Sequence, residues 1–110
     1  MANLLIIDDQ EYRKEKLARY LSEKGYCVSS VSGPESFDTL DLDAFDLFIV
    51  NLYPDVDRTW GIYLSLKQQH PSAQVLVYLK ESFQTFRGLK QAISSILHDD
   101  AETTCKRCAR

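Results

Sequence analysis

The sequence predicts a single α/β domain built on an open parallel sheet of about four, at most five, strands with helices on both faces. Two short runs that are wholly apolar, residues 4–7 and 47–50, are typical of central strands covered on both sides. Segments with helical spacing alternate with these and two further apolar runs. The resulting order, βαβαβαβα, is the pattern of parallel strands joined by helical crossovers.

The first helix is predicted over residues 11–24. Leu17, Ala18 and Leu21 form one apolar stripe, and Gly25 follows where a helix commonly ends. Its basic residues are expected mostly off that stripe, on the polar side: Arg13, Lys14, Lys16 and Arg19.

The remaining elements follow from changes of period and from turn residues. Residues 26–31 alternate as a strand, and Pro34 suits the start of a short helix through Leu40. After the strand at 46–51, a polar loop is expected over residues 53–58, followed by a helix that ends before Pro71. A strand over 75–79 and a helical stripe from Phe83 to about His98 complete the order.

Composition limits the functions that are open to the chain. A length of 110 residues, 45% hydrophobic and 26% charged, suits one domain, which we place at residues 1–98 with a polar tail at 99–110. A net charge of −3 gives no reason to expect direct contact with nucleic acid or with a membrane surface. We read the apolar start as a strand rather than a signal peptide, and three cysteines without a secretory signal suit the cytoplasm.

Polar residues that carry chemistry follow two of the predicted strands. Asp8 and Asp9 come directly after the first strand, and Asn51 comes after the third. Because parallel sheets place their sites in the loops after the carboxyl ends of the strands, we expect these side chains to lie together.

These residues resemble a known family. The segment Leu5-Ile6-Ile7-Asp8-Asp9, the segment Asp46-Leu47-Phe48-Ile49-Val50-Asn51, and Pro54 with Gly61 are similar to response-regulator receiver domains, the CheY-like family with a flavodoxin-like fold. In that family the acidic pair helps to hold Mg²⁺, and an aspartate after strand three accepts a phosphoryl group. The resemblance implies a signalling domain of the two-component, phosphorelay type.

The acceptor position departs from the family pattern. It holds Asn51, whose carboxamide oxygen is too weak a nucleophile to take a phosphoryl group. A neutral oxygen in place of one carboxylate leaves a relic metal site at Asp8, Asp9 and Asn51, which would hold Mg²⁺ less tightly. The loop that follows is also remodelled, since Pro54 comes one residue early.

The second half admits two alignments. In one, residues 75–79 are strand four, and the chain lacks the fifth strand and its phosphate-contacting lysine. In the other, one strand-helix unit is deleted, and Lys80 is the counterpart of that lysine. At the end of strand four the family carries a threonine or serine whose hydroxyl contacts the phosphoryl group, whereas this chain has Tyr78-Leu79-Lys80.

Several of these residues also have plain structural explanations. Asp9 is a good N-cap for the first helix, and asparagine suits a turn at a strand end. Cys105 and Cys108 form a single C-x-x-C, which supplies two ligands where structural zinc needs four, so we read them as tail thiols. Cys27 is expected to be a small core residue.

Four functions compete. The first is a non-catalytic pseudo-receiver acting through phosphorylation-independent protein interaction, with a kinase, a regulator or an output domain as partner and no cofactor required. The second is a receiver variant that is phosphorylated on a neighbouring carboxylate such as Asp55 or Asp57, or that binds Mg²⁺. A nucleotide- or flavin-binding enzyme lacks the required glycine pattern, and a zinc or redox module rests on the tail alone.

A protein interface is expected from two features. Trp60, Tyr63 and Tyr53 lie near the predicted site edge, where exposed aromatic groups suit a partner, although packing in the core is an equal alternative. If a strand-helix unit is missing, the uncovered surface must be shielded, and a homodimer is the economical solution.

Overall fold

The computed structural model describes residues 2–77 and 86–97. Within these residues, four strands alternate with three α-helices, and two 3-10 helices replace the helix expected between the second and third strands. The elements are β1 (Asn3–Ile7), α1 (Glu11–Glu23), β2 (Cys27–Val31), 3-10 helices at Pro34–Thr39 and Leu42–Ala44, β3 (Leu47–Val50), α2 (Val56–Gln69), β4 (Val75–Val77) and α3 (Phe86–Leu97).

The strands form one parallel sheet in the order β2-β1-β3-β4. β1 and β3 are its central strands, and Leu4 to Ile7 are buried together with all of Leu47–Val50. This confirms the predicted fold class, with four strands in the described part of the chain. The two apolar runs are central because side chains on both of their faces must be covered by helices.

Alternate residues of the central strands supply two separate cores. Leu4, Ile6 and Ile49 pack on the side of α1, together with Leu17 and Leu21. The intervening residues pack on the opposite side against α2 and the 3-10 segment: Leu5, Ile7, Phe48 and Val50 with Ile62 and Leu66. The predicted Leu17 and Leu21 stripe is therefore the buried face of α1.

The position of α3 bears on the two alignments of the second half. Ile93 of α3 packs in the same core as Leu17 and Leu21, so α3 lies on the α1 side of the sheet. A right-handed crossover from β4 to a further strand outside it would instead lie on the α2 side. α3 is therefore not such a crossover, which favours the alignment with one deleted strand-helix unit.

Some sequence expectations need correction. Cys27 is exposed rather than buried, because β2 is an edge strand. The N-cap of α1 is Gln10 instead of Asp9, and the polar loop is shorter than expected, since α2 begins at Val56 behind the N-cap Asp55. None of the helices within residues 2–77 and 86–97 is long and apolar enough to cross a membrane.

Candidate functional site at the carboxyl ends of β1 and β3

The structure brings Asp8 and Asn51 together at one edge of the sheet, as expected for neighbouring parallel strands. Ile7 lies beside Val50 in the strand register, and the backbone amide of Asn51 donates to the backbone carbonyl of Ile7 at 2.9 Å. Both polar side chains are enclosed, with Asp8 0% and Asn51 1% exposed. A buried carboxylate is stable only when hydrogen-bonding or charged partners compensate for its lost hydration.

The main partner of Asp8 is Arg13, which lies in the first turns of α1. The Nε of Arg13 donates to Oδ2 of Asp8 at 2.6 Å, and its Nη2 donates to Oδ1 at 2.8 Å. Arg13 is itself only 4% exposed. Both carboxylate oxygens are thus bound by one guanidinium in the bidentate geometry that makes arginine–carboxylate pairs strong.

Further contacts fix this pair in place. Oδ1 of Asp8 accepts the amide of Gln10 at 2.9 Å, and Oε1 of Gln10 accepts the amide of Arg13 at 2.7 Å. The guanidinium also reaches across to the loop after β3, with Nη2 at 3.4 Å from the carbonyl oxygens of Asn51 and Tyr53. Arg13 therefore links the end of β1, the start of α1 and the loop after β3.

Sequence reasoning placed Arg13 on the polar side of α1 and missed this role. Lys14 was expected there as well, and it is only 7% exposed, with its Nζ at 2.9 Å from Oγ of Ser32 and 3.0 Å from Oε2 of Glu11. The one signal in the sequence was the proximity of two cations to the Asp8-Asp9 pair. The burial of Arg13 and Lys14 depends on how their long side chains extend past the first turn of α1, which the sequence does not show.

Asp9 has a different environment from Asp8. Its Oδ2 lies 3.2 Å from Nη1 of Arg58, and Nη2 of the same arginine lies 3.9 Å from Oε2 of Glu35. The side chains of Asp9 and Arg58 are 41% and 39% exposed. Because exposed ion pairs contribute little to stability, we expect the side chains of Asp9 and Arg58 to exchange this contact readily for contacts with water.

The carboxamide of Asn51 is used in the turn that follows β3. Its Oδ1 accepts the amide of Tyr53 at 3.0 Å, which is the turn-forming role that asparagine commonly plays. The next residue, Leu52, donates its amide to Oγ1 of Thr59 at 3.1 Å, and Thr59 donates to the carbonyl of Asp55 at 3.0 Å. The buried Thr59 hydroxyl, not identified from the sequence, thus ties this loop to α2.

The receiver resemblance implies a Mg²⁺ ion at this edge of the sheet. Mg²⁺ requires oxygen ligands in a near-octahedral arrangement. The oxygens expected as ligands are held by Arg13, by Arg58 and by the amide of Tyr53. No group of three or more His, Cys, Asp or Glu side chains in the part of the chain that the structure describes is placed to hold a metal ion. In this arrangement the residues do not fit Mg²⁺.

Three predicted site residues lie outside the described residues. These are Lys80, expected as a possible phosphate-contacting lysine, and the tail thiols Cys105 and Cys108. Their roles, and the boundary between the domain and the tail at residue 98, stay predictions.

A second feature near this edge is an apolar ridge on α2. Val56, Trp60 and Leu64 are 39%, 43% and 62% exposed, and they recur every four residues. The ring of Tyr63 packs edge-on against Trp60, with centroids 5.4 Å apart. Of the three aromatic residues singled out in the sequence, Trp60 is therefore a surface group, and the α2 ridge is defined here as Val56, Trp60 and Leu64.

The fold is similar to that of known signalling proteins. The response regulator TrrA of Thermotoga maritima, in complex with Mg²⁺–BeF, matches with a TM-score of 0.73 and 20% identity over 88% of this chain and 100% of that chain. TrrA is also matched in its complex with the histidine kinase ThkA. That match has a TM-score of 0.74 and 18% identity over 88% of this chain and 99% of that chain.

A third match is a response regulator from Burkholderia pseudomallei with a phosphorylated aspartic acid, a calcium ion and citrate. Its TM-score is 0.58 and its identity 29%, over 70% of this chain and 46% of that chain. Comparisons with protein-family models and with curated proteins give no match. The chain therefore has the fold of the response-regulator receiver domains, which confirms the resemblance seen in the sequence.

Proposed function

We propose that this receiver domain is a pseudo-receiver of two-component signalling, which acts through protein–protein interaction without being phosphorylated. One observation carries the proposal: the residue at the end of β3 is Asn51, whose side-chain oxygen is buried and already accepts the amide of Tyr53. A carboxamide is a poor nucleophile, and no acyl phosphate forms from it.

The nearby carboxylates are poor substitutes for the missing acceptor. Asp8 is enclosed and bound at both oxygens by Arg13. Asp55 is exposed, but its Oδ1 caps α2 by accepting the amide of Arg58 at 3.0 Å. These contacts support a domain that needs neither a phosphoryl group nor a metal cofactor, and we propose that its site is structural.

Acetyl phosphate labelling tests this proposal. The intact mass of the wild-type chain is expected to stay unchanged after incubation with acetyl phosphate and Mg²⁺, while an unmodified receiver treated in parallel gains a phosphoryl group. A phosphoryl adduct on the wild-type chain would contradict the proposal. Loss of that adduct in Asp55→Asn, but not in Asp57→Asn, would assign it to Asp55.

The proposed binding surface is the α2 ridge. An exposed apolar ridge on a helix is typical of a docking face. Charged residues of opposite sign lie at the two ends of α2. Asp57 lies in the first turn of α2 and Lys67 in its last turn, where Nζ of Lys67 donates to the carbonyl of Ala73 at 2.7 Å. Two copies packed antiparallel would place Asp57 of each near Lys67 of the other.

We therefore propose a second copy of the chain as the occupant of the α2 ridge. Residues four apart form the ridges that interlock in the commonest class of helix packing. One helix face is smaller than the roughly 800 Å² per partner of a standard interface, so we expect a weak dimer that depends on concentration. A kinase, regulator or output domain that displaces the second copy would give the domain its signalling role in the cytoplasm.

Light scattering after size exclusion tests the surface. The average mass is expected to rise with concentration in the wild type and to stay at the monomer value in Trp60→Ser. Tyr12→Ser is the matched control, since Tyr12 is 67% exposed on α1, away from the ridge. A monomer at all concentrations, or equal association of both variants, would contradict the proposed face.

A further inference from the structure

The buried Arg13 stands among oxygen atoms of the kind that bind divalent ions. Its guanidinium meets both oxygens of Asp8 at 2.6 and 2.8 Å and approaches the carbonyl oxygens of Asn51 and Tyr53 at 3.4 Å. Carboxylate and backbone carbonyl oxygens are the usual protein ligands of Mg²⁺ and Ca²⁺. We propose that Arg13 is a built-in cation: it excludes divalent ions from this edge of the sheet, and its removal opens a Mg²⁺ site.

Charge explains why the two cations exclude one another. The Asp8–Arg13 pair is neutral as a unit and is almost wholly shielded from solvent. A divalent ion entering between Asp8 and the carbonyl oxygens would meet the guanidinium at close range in a medium that screens poorly. It would also have to displace two short hydrogen bonds while losing part of its own hydration shell, which Mg²⁺ gives up reluctantly.

The guanidinium has a structural consequence that an exchangeable ion would not have. It is covalently part of α1, and the cap formed by Gln10 fixes its backbone. The end of β1 and the loop at Asn51 and Tyr53 are therefore held in one arrangement at any ion concentration. This inference is independent of the proposed pseudo-receiver function, because a chain that is never phosphorylated can still bind Mg²⁺.

The wild-type chain provides the first arm of the test. Mg²⁺ is titrated while backbone amide NMR signals are followed, with KCl of equal ionic strength as the reference. The amides of Asp8, Asp9, Gln10 and Tyr53 are expected to show no saturable shift. Saturable shifts confined to these amides would overturn the proposal, whatever the variants do.

The second arm removes the built-in cation. Arg13→Met is expected to lower Tm in buffer without divalent ions, and its Tm should then rise with the logarithm of the Mg²⁺ concentration, as for any ligand that binds the folded state. Arg19→Met, at an exposed position on the same helix, is the matched control and should respond like the wild type. The double variant Asp8→Asn/Arg13→Met lacks the carboxylate and should lose the Mg²⁺ response.

Two further variants cover the case in which Arg13→Met does not fold. Arg13→Gln keeps a hydrogen-bond donor toward Asp8 but removes the charge, and it is expected to gain the same Mg²⁺-dependent rise in Tm. Arg13→Lys retains the charge and should not gain it. If the folded neutral variants respond to Mg²⁺ no more than Arg19→Met does, the guanidinium is only a structural partner of Asp8 and the proposal is wrong.

Discussion

The carboxylate of Asp8 and the guanidinium of Arg13 are joined by two hydrogen bonds, of 2.6 and 2.8 Å, with side chains only 0% and 3% exposed. Asp8 belongs to the acidic pair by which the sequence resembles a phosphorylated signalling domain. In the fold it is bound by a cation of the chain itself. The fold is that of receiver domains, and the Asp8–Arg13 pair lies where the resemblance implies a ligand of Mg²⁺.

Breaking the Asp8–Arg13 pair should be costly. In buffer without divalent ions, Arg13→Met leaves a buried carboxylate without its counter-charge, and we expect a loss of about 3–5 kcal/mol in the free energy of unfolding. Urea denaturation measures this. Asp8→Asn/Arg13→Met removes both charges and should be more stable than Arg13→Met alone; a double variant that is less stable than Arg13→Met would contradict the pairing.

The hydroxyl of Thr59 should contribute measurably to the free energy of unfolding. Thr59→Val conserves shape but deprives the amide of Leu52 of its acceptor at 3.1 Å, and an unsatisfied buried donor costs about 1–3 kcal/mol. Thr59→Ser keeps the hydroxyl and should fall between the valine variant and the wild type. Thermal or urea unfolding of the three proteins checks the order, and a valine variant as stable as the wild type would refute it.

Replacing two of the glycines by alanine should change the stability of the protein in opposite directions. Gly25 has a φ of +99° after α1, a region that costs an L-residue about 1–2 kcal/mol, so Gly25→Ala should lower Tm. Gly61 lies inside α2, where an alanine Cβ would meet no atom within 4 Å apart from its chain neighbours and the backbone of the helix itself, and Gly61→Ala should stabilise the helix by about 0.5–1 kcal/mol. Equal shifts for both variants would count against the helix boundary at Glu23.

A charge in the central sheet should abolish folding. Val50 is fully buried in β3, and Val50→Asp places an unpaired carboxylate between the sheet and α2, so we expect no cooperative melting transition in circular dichroism. Val56→Asp is the control, because Val56 is 39% exposed in the first turn of α2, where an acidic residue is favourable. A retained transition in Val50→Asp would refute the central position of β3.

Local patterns were sufficient for the frame of the fold. Residues 4–7 and 47–50 are apolar without interruption, and such runs become central strands wherever helices cover both faces of a parallel sheet. Gly25 and Pro34 marked the end of one helix and the start of the next. The position of Asp8 beside Asn51 then followed from topology, because the carboxyl ends of parallel strands share one edge.

The sequence by itself thus determined the alternation of strands and helices along the chain, the edge at which polar residues gather and the absence of an aspartate at position 51. Only the tertiary structure decided that Arg13 is buried against Asp8, that Cys27 is exposed and that α3 lies on the side of α1. Hydrophobic period and turn residues are properties of neighbours along the chain. Burial of a charge depends instead on how far a long side chain extends and on whether the tertiary structure places an opposite charge within its range.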